Sequence, residues 1–254
     1  MSYKMYIHNI NPVILNAGPL QIRWYGLMYV ISFIFIYYII SYLVKRKKVK
    51  LTQKDVEWFM IIETIALLFG ARLFEVLVYS PSYYFANPAK IIAIWEGGLS
   101  FHGGLLGMVI AAYFFCRAKK VKLLQIADLM VIPMGIALML GRIGNFINGE
   151  LYGTVTNVPW CFKFPSASGC RHPSQIYEAG KNFLIFAVLW SIKDRKEKPG
   201  FFFAVFLIMY GILRFLIEFV REPEVMVGFL TIGQGLCLLM IIAGAGLLVF
   251  IKER

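Results

Sequence analysis

Residues 20–50 read LQIRWYGLMYVISFIFIYYIISYLVKRKKVK. Apolar and aromatic side chains run from Leu20 to Val44 before Lys45, Arg46, Lys47 and Lys48 close the stretch. A helix rising 1.5 Å per residue needs about 20 such residues to cross a hydrocarbon core of about 30 Å. The run is too long for the apolar part of a cleavable leader, so it is expected to remain as a membrane span. Because cytoplasmic connections carry the excess of Lys and Arg, the basic cluster also orients it.

Composition agrees along the whole chain. Of 254 residues, 59% are hydrophobic and only 16% charged, with a mean hydropathy of +0.70; soluble domains carry about 25% charge. The net charge of +12 would suggest nucleic acid in a soluble protein. Here Lys and Arg fall in short clusters between apolar runs, so the basicity reports orientation and no nucleic-acid partner is expected.

The expected fold is an all-α integral membrane protein of one domain. Its apolar segments lie at about 19–44, 57–79, 99–116, 126–147, 179–192, 200–220 and 229–251. Basic clusters follow the first segment, the third (Arg117, Lys119, Lys120, Lys122) and the fifth (Lys193, Arg195, Lys196, Lys198), and Lys252 and Arg254 end the chain. The alternation of basic and non-basic connections predicts seven transmembrane helices with the amino terminus outside and the carboxyl terminus cytoplasmic. The longest external connection, about 148–178, holds Pro159, Pro165, Gly169 and Pro173 and reads as a small external cap. Cys161 and Cys170 both lie in it, where an outward compartment permits a bridge; two free thiols fit the sequence equally. Neither they nor Cys116 and Cys237 form a C-x-x-C or stand at metal-ligand spacing from a His, so no metal and no cofactor are expected.

Arg72, Arg142 and Arg214 stand inside apolar segments, where an arginine costs about 2.5 kcal/mol or more at the span centre and asks for a partner or a function. Each is expected in the outer half of the membrane, near the level at which Arg23, Tyr25, Glu96 and His102 enter from outside. Tyr210, Arg214, Glu218 and Arg221 follow at i, i+4, i+8 and i+11, which on a helix is one narrow face. That stripe is either a self-satisfied ion ladder or a ligand site.

Two glycine-rich runs add to it. GRIGNFINGELYG, residues 141–153, sets Arg142, Asn145 and Glu150 among glycines that let a backbone or ligand approach, Gly149 and Gly153 forming a G-x-x-x-G pair. GGLSFHGGLLG, residues 97–107, sets His102 between glycine pairs at the mouth of a span. The glycines are expected to leave the imidazole accessible, and its ordinary pKa suits proton transfer near neutrality. Arginines converging at headgroup depth suit a lipid phosphate, which their planar guanidinium grips bidentately. An enzyme or a lipid transporter could use such a grip.

These runs, with HPSQIYE at 172–178 and the Tyr210–Arg221 stripe, resemble the prolipoprotein diacylglyceryl transferase family over nearly the whole chain. The resemblance implies a multi-pass enzyme of the bacterial cytoplasmic (inner) membrane with its active site toward the outer, periplasmic side. It would transfer diacylglyceryl from phosphatidylglycerol to the lipobox cysteine thiol of a preprolipoprotein, forming a thioether and releasing glycerol phosphate. Its partners would be phosphatidylglycerol, the preprolipoprotein lipobox segment and the bilayer.

By matching motif, the resemblance makes His102 the candidate base and sets Arg142 and Arg214 on the lipid headgroup. Tyr25, Asn145, Glu150, Gly153, Glu218 and Arg221 complete the functional set. Tyr210 and Arg72 are further candidates for substrate binding, and Glu150 or Glu218 could take the thiol proton in place of His102. In HPSQIYE, His172, Gln175 and Glu178 are expected to hold the cap or its helix. The leading rival, a lipid flippase, would need a polar path through both leaflets, toward which only Glu63 and Asp128 point. An intramembrane protease lacks its motifs.

Overall fold

In a computed structural model, residues 6–17, 20–222 and 225–253 are described. The chain is mostly helical: α1 (Trp24–Arg46), α2 (Gln53–Phe74), α3 (Pro81–Ala86), α4 (Phe101–Lys119), α5 (Leu123–Asn148), α6 (Ser174–Ser191), α7 (Phe201–Glu218) and α8 (Ile232–Glu253). Short strands lie between them: β1 (Tyr6–Ile7), β2 (Val13–Ala17), β3 (Leu20–Arg23), β4 (Phe162–Lys163), β5 (Met226–Val227) and β6 (Leu230–Thr231). Five helices (α1, α4, α5, α7 and α8) are long and apolar enough to cross a membrane. The other two long helices carry charge in their interiors, Glu63 and Arg72 in α2, Glu178 and Lys181 in α6.

The first apolar run begins differently from expectation. Residues 20–23 are a strand paired antiparallel with β2, and the helix starts only at Trp24. The hydrophobicity of Leu20 and Ile22 is equally compatible with a strand, and a run this short carries no period to separate the two.

The chain forms two compact units, residues 41–126 and residues 1–40 with 127–254. In the first, α2 packs along α4 at backbone distance: a Cβ on Gly70 would stand 2.5 Å from the Gly103 carbonyl oxygen and 3.1 Å from the Gly107 Cα. Small residues let two membrane helices close on each other in this way. In the second, α7 packs along α8 by the same means, with Gly244 against the Ala204 carbonyl and Gly211 against that of Cys237. Asp128 caps the start of α7, accepting from the Gly200 N–H at 2.7 Å and the Phe203 N–H at 2.8 Å. A carboxylate there satisfies otherwise orphaned donors and faces the positive end of the helix dipole.

Outside the helices, residues 149–173 form an irregular cap. Cys161 and Cys170 are joined in a disulfide, with Cα atoms 5.6 Å apart. Reciprocal backbone bonds between Phe162 and Arg171, and bonds from Thr156 N–H to the Cys170 carbonyl and from His172 N–H to the Thr154 carbonyl, lace the bridged loop to the strand-like run before it. β1 pairs in parallel with β4, and His8, buried against Phe146 and Phe164, hydrogen-bonds the Phe146 carbonyl through Nε2 at 2.6 Å.

Candidate active site

Glu178 is the centre of the larger polar cluster. It sits one turn into α6 with no solvent exposure, where an unpaired carboxylate would be prohibitive. Lys181 Nζ lies 2.9 Å from its Oε2 and Arg142 Nε 3.8 Å from the same oxygen. Arg214 Nη1 lies 2.8 Å and Arg221 Nη1 3.3 Å from Oε1. Glu218 is the second acid, 2.8 Å from Arg214 Nη2 and 3.7 Å from Arg221 Nε, with Thr231 Oγ1 donating to its Oε1 at 3.1 Å. Four cations thus surround two carboxylates, a formal surplus of two positive charges.

Several of these donors are poorly aligned with the acids. Arg214 Nη1 is close to Glu178 but makes no aligned hydrogen bond among the described residues. Arg142 approaches the carboxylate only at 3.8 Å, beyond hydrogen-bond reach. Charge excess together with uncommitted guanidinium N–H groups is what a phosphate ester would complete. Tyr210 floors the cluster, with Lys181 Nζ 3.7 Å from its ring centroid.

The stripe on the sixth apolar segment is therefore present with one correction. α7 ends at Glu218, so Arg221 is not on the helix face that its spacing predicts. It reaches the cluster because its backbone bridges antiparallel to Gly153. Glu178 was legible only as part of HPSQIYE, and a sequence offers no way to see that its carboxylate meets arginines from two other helices. Its neighbours in that run behave as expected: Ser174 Oγ donates to the Leu151 carbonyl at 2.9 Å and Gln175 Nε2 to the Glu150 carbonyl at 2.6 Å.

A second group of candidates gathers at the end of α5. Asn145 Nδ2 donates to Glu150 Oε1 at 2.8 Å, Asn148 Nδ2 to the same oxygen at 3.1 Å, and the Glu150 N–H to the Asn145 carbonyl at 3.1 Å. The turn that folds Glu150 back uses Gly149 at φ +70°, a region glycine enters without penalty. The helix has ended by then, so Gly149 and Gly153 do not form the helix-packing pair that their spacing suggests. Tyr25 packs its ring on Gly144, bonds Tyr29 at 3.1 Å between hydroxyls, and lies within electrostatic reach of Asn145 and Glu150.

His102 and Arg72 belong to the unit of residues 41–126. His102 stands exposed in the first turn of α4, Nδ1 2.8 Å from the Tyr79 hydroxyl. Tyr79 is placed by a π-helical turn, Glu75–Tyr79, that continues α2, a departure that recurs at functional positions. The glycines beside His102 have a different task from the one expected. Gly103, Gly104 and Gly107 meet α2, with Leu67, Ala66 and Gly70 in contact, so they serve helix packing while the imidazole faces away.

Arg72 directs all five of its N–H groups to backbone carbonyls. Nε donates to Ile91 at 2.9 Å, Nη1 to Gly97 at 2.6 Å and Gly98 at 2.8 Å, and Nη2 to Lys90 and to Ala93, the latter at 3.3 Å. The guanidinium also lies 4.7 Å from the Tyr84 ring centroid. Gly97 and Gly98, at φ +94° and +72°, turn their carbonyls inward to meet it. No donor remains for a headgroup in this arrangement, which makes Arg72 the organiser of the 88–98 segment.

A sequence model described as prolipoprotein diacylglyceryl transferase matches residues 12–250. The chain belongs to the prolipoprotein diacylglyceryl transferase family. It is similar to the phosphatidylglycerol–prolipoprotein diacylglyceryl transferase of Geobacter sulfurreducens, 42% identical over 256 residues and 98% of each chain. It is likewise similar to those of Bordetella parapertussis, 43% identical over 95% of each chain, and Rickettsia felis, 41% identical over 96% of this chain and 98% of the relative. The family member described here is a transferase, and its apolar helices make it a multi-pass membrane protein.

Proposed function

We propose that this transferase moves the diacylglyceryl group of phosphatidylglycerol to the lipobox cysteine of a preprolipoprotein. The observation that carries the reading is the Glu178 cluster, whose four cations exceed its two carboxylates in a family whose named relatives act on an anionic phospholipid. The thiol loses its proton to a base, and its sulfur attacks the glycerol carbon that bears the phosphate ester. A C–S thioether bond forms as the C–O bond breaks, and glycerol phosphate departs with the bonding electron pair. A thiol of ordinary pKa about 8.5 is only a few per cent ionised at neutrality, so the base matters.

His102 is the base in this reading, with the Tyr79 hydroxyl fixing its ring. Arg142 and Arg214 hold the phosphate and stabilise the charge it gains as it leaves. Glu218, Arg221 and Tyr210 hold those arginines in place, and Tyr25, Asn145, Glu150 and Gly153 shape the end of α5 for substrate. Arg72 contributes by positioning the 88–98 segment. The chain acts as a single membrane domain of seven spans in the bacterial inner membrane, amino terminus outside and carboxyl terminus cytoplasmic, with the 148–178 cap and the reaction on the periplasmic side. The basic clusters after α1, α4 and α6 support this orientation.

The test is direct. Purified protein is incubated with acyl-labelled phosphatidylglycerol and a lipobox peptide, and the products are read by mass spectrometry. Thioether adduct and free glycerol phosphate are expected together, lost with a serine-for-cysteine peptide and in Arg142→Ala. Lipid binding without either product would favour a transporter.

A further inference from the structure

Lys181 belongs to the Glu178 cluster, yet no step of the transfer uses it. Its side chain is 2% exposed, within a helix otherwise apolar on either side. An ammonium in that position is costly, and a methionine would fill the space without the cost. What the charge does is visible in how the Glu178 oxygens are shared. Arg214 and Arg221 take Oε1, and Lys181 takes Oε2 at 2.9 Å, anchored from its other side by the Tyr210 ring at 3.7 Å. Arg142, aimed at the same Oε2, is held off at 3.8 Å.

We propose that Lys181 is a positioning residue that occupies Glu178 Oε2 and thereby keeps the Arg142 guanidinium available for the lipid phosphate. The proposal rests on the phosphatidylglycerol reading above. Without the ammonium, Oε2 would be a buried carboxylate oxygen lacking its close partner, and Arg142 would need to move only about 1 Å to bond it. That bond would have to break each time a phosphate recruited Arg142, so lipid affinity falls by its strength.

Lys181→Met tests the idea against Lys181→Arg, which restores the charge. In Lys181→Met the KM for phosphatidylglycerol is expected to rise about tenfold or more, the worth of one charge-assisted contact, with kcat within about threefold. Inhibition by added glycerol phosphate should weaken by a similar factor, and Lys181→Arg should bring both back toward wild type. An unchanged KM in an active Lys181→Met protein overturns the proposal, as does a fall in kcat that tracks a lowered melting temperature with KM constant. Should Lys181→Met not fold, Lys181→Gln replaces it: a KM raised above that of Lys181→Arg supports the proposal and an equal one overturns it. Failure of the wild-type protein to form the thioether would instead strike the phosphatidylglycerol reading itself.

Discussion

The backbone of Gly153 bridges antiparallel to that of Arg221, so closely that a Cβ at 153 would run into the Val220 carbonyl oxygen and stand 2.9 Å from the His172 Cβ. The cap and the end of α7 meet here, and Thr154 N–H extends the contact to the Val220 carbonyl at 3.0 Å. Gly153→Ala is expected to lower stability by about 1–3 kcal/mol, the usual range for overpacking. Transfer should fall further than stability, because Arg221 is displaced from Glu178. Thermal unfolding in detergent and the peptide assay check the two effects separately, and a variant normal in both would remove the packing argument.

His102→Gln should lower kcat by about 10²–10⁴, the range of general-base catalysis, while leaving the KM for lipid nearly unchanged. Tyr79→Phe, which removes the partner of Nδ1, should lower kcat by about tenfold through loss of ring orientation. Arg214→Ala should instead raise KM as well. Equal loss of lipid affinity in His102→Gln and Arg214→Ala would refute the division of roles, and steady-state kinetics at varied phosphatidylglycerol decides it.

The sequence made the helices legible because the bilayer demands long apolar runs, and their charged interruptions stood out against them. Arg142 and Arg214 were found that way and do meet at one carboxylate. Glu178 was undervalued because it opens a helix in a motif that also holds Ser174 and Gln175, whose bonds are purely local to the turn after α5. Arg72 shows the opposite error. An arginine in an apolar run is the same signal whether its donors meet a ligand or five carbonyls, and only coordinates separate the two.

Arg72→Lys should be nearly as damaging as Arg72→Ala, since an ammonium offers three donors where the guanidinium fork uses five. With several buried carbonyls left unpaired, a loss of about 3 kcal/mol or more is expected. Limited proteolysis should show new cleavage between residues 88 and 98, and an uncut Arg72→Lys protein of normal melting temperature would contradict this.

Replacing both Cys161 and Cys170 by Ser should cost about 2–3 kcal/mol, the value for closing so short a loop. Transfer activity should persist at low temperature, because the backbone bonds of the cap survive without the bridge. Thermal unfolding of the wild type with and without reductant should reproduce the difference.

Partial burial lowers the pKa of His172 in the cap. The folded protein therefore binds its proton less readily than the unfolded chain, and the stabilising contribution is complete above the unfolded pKa of about 6.5. It is lost as pH falls from there toward the folded value. Melting temperature should decline on acidification below that point, and His172→Gln should flatten the decline; an unaltered slope would exclude His172 as its source.

The grip of Arg72 also fixes a length. The stretch from Lys90 to Gly98 has two short 3₁₀ turns and no ladder of its own, and its path is set by a single side chain reaching five of its carbonyls. Adding or deleting one residue there would shift carbonyls out of phase with the donors on one side of the change. This connection should therefore tolerate substitution at its outward side chains, such as Trp95, far better than any change in the number of residues it contains.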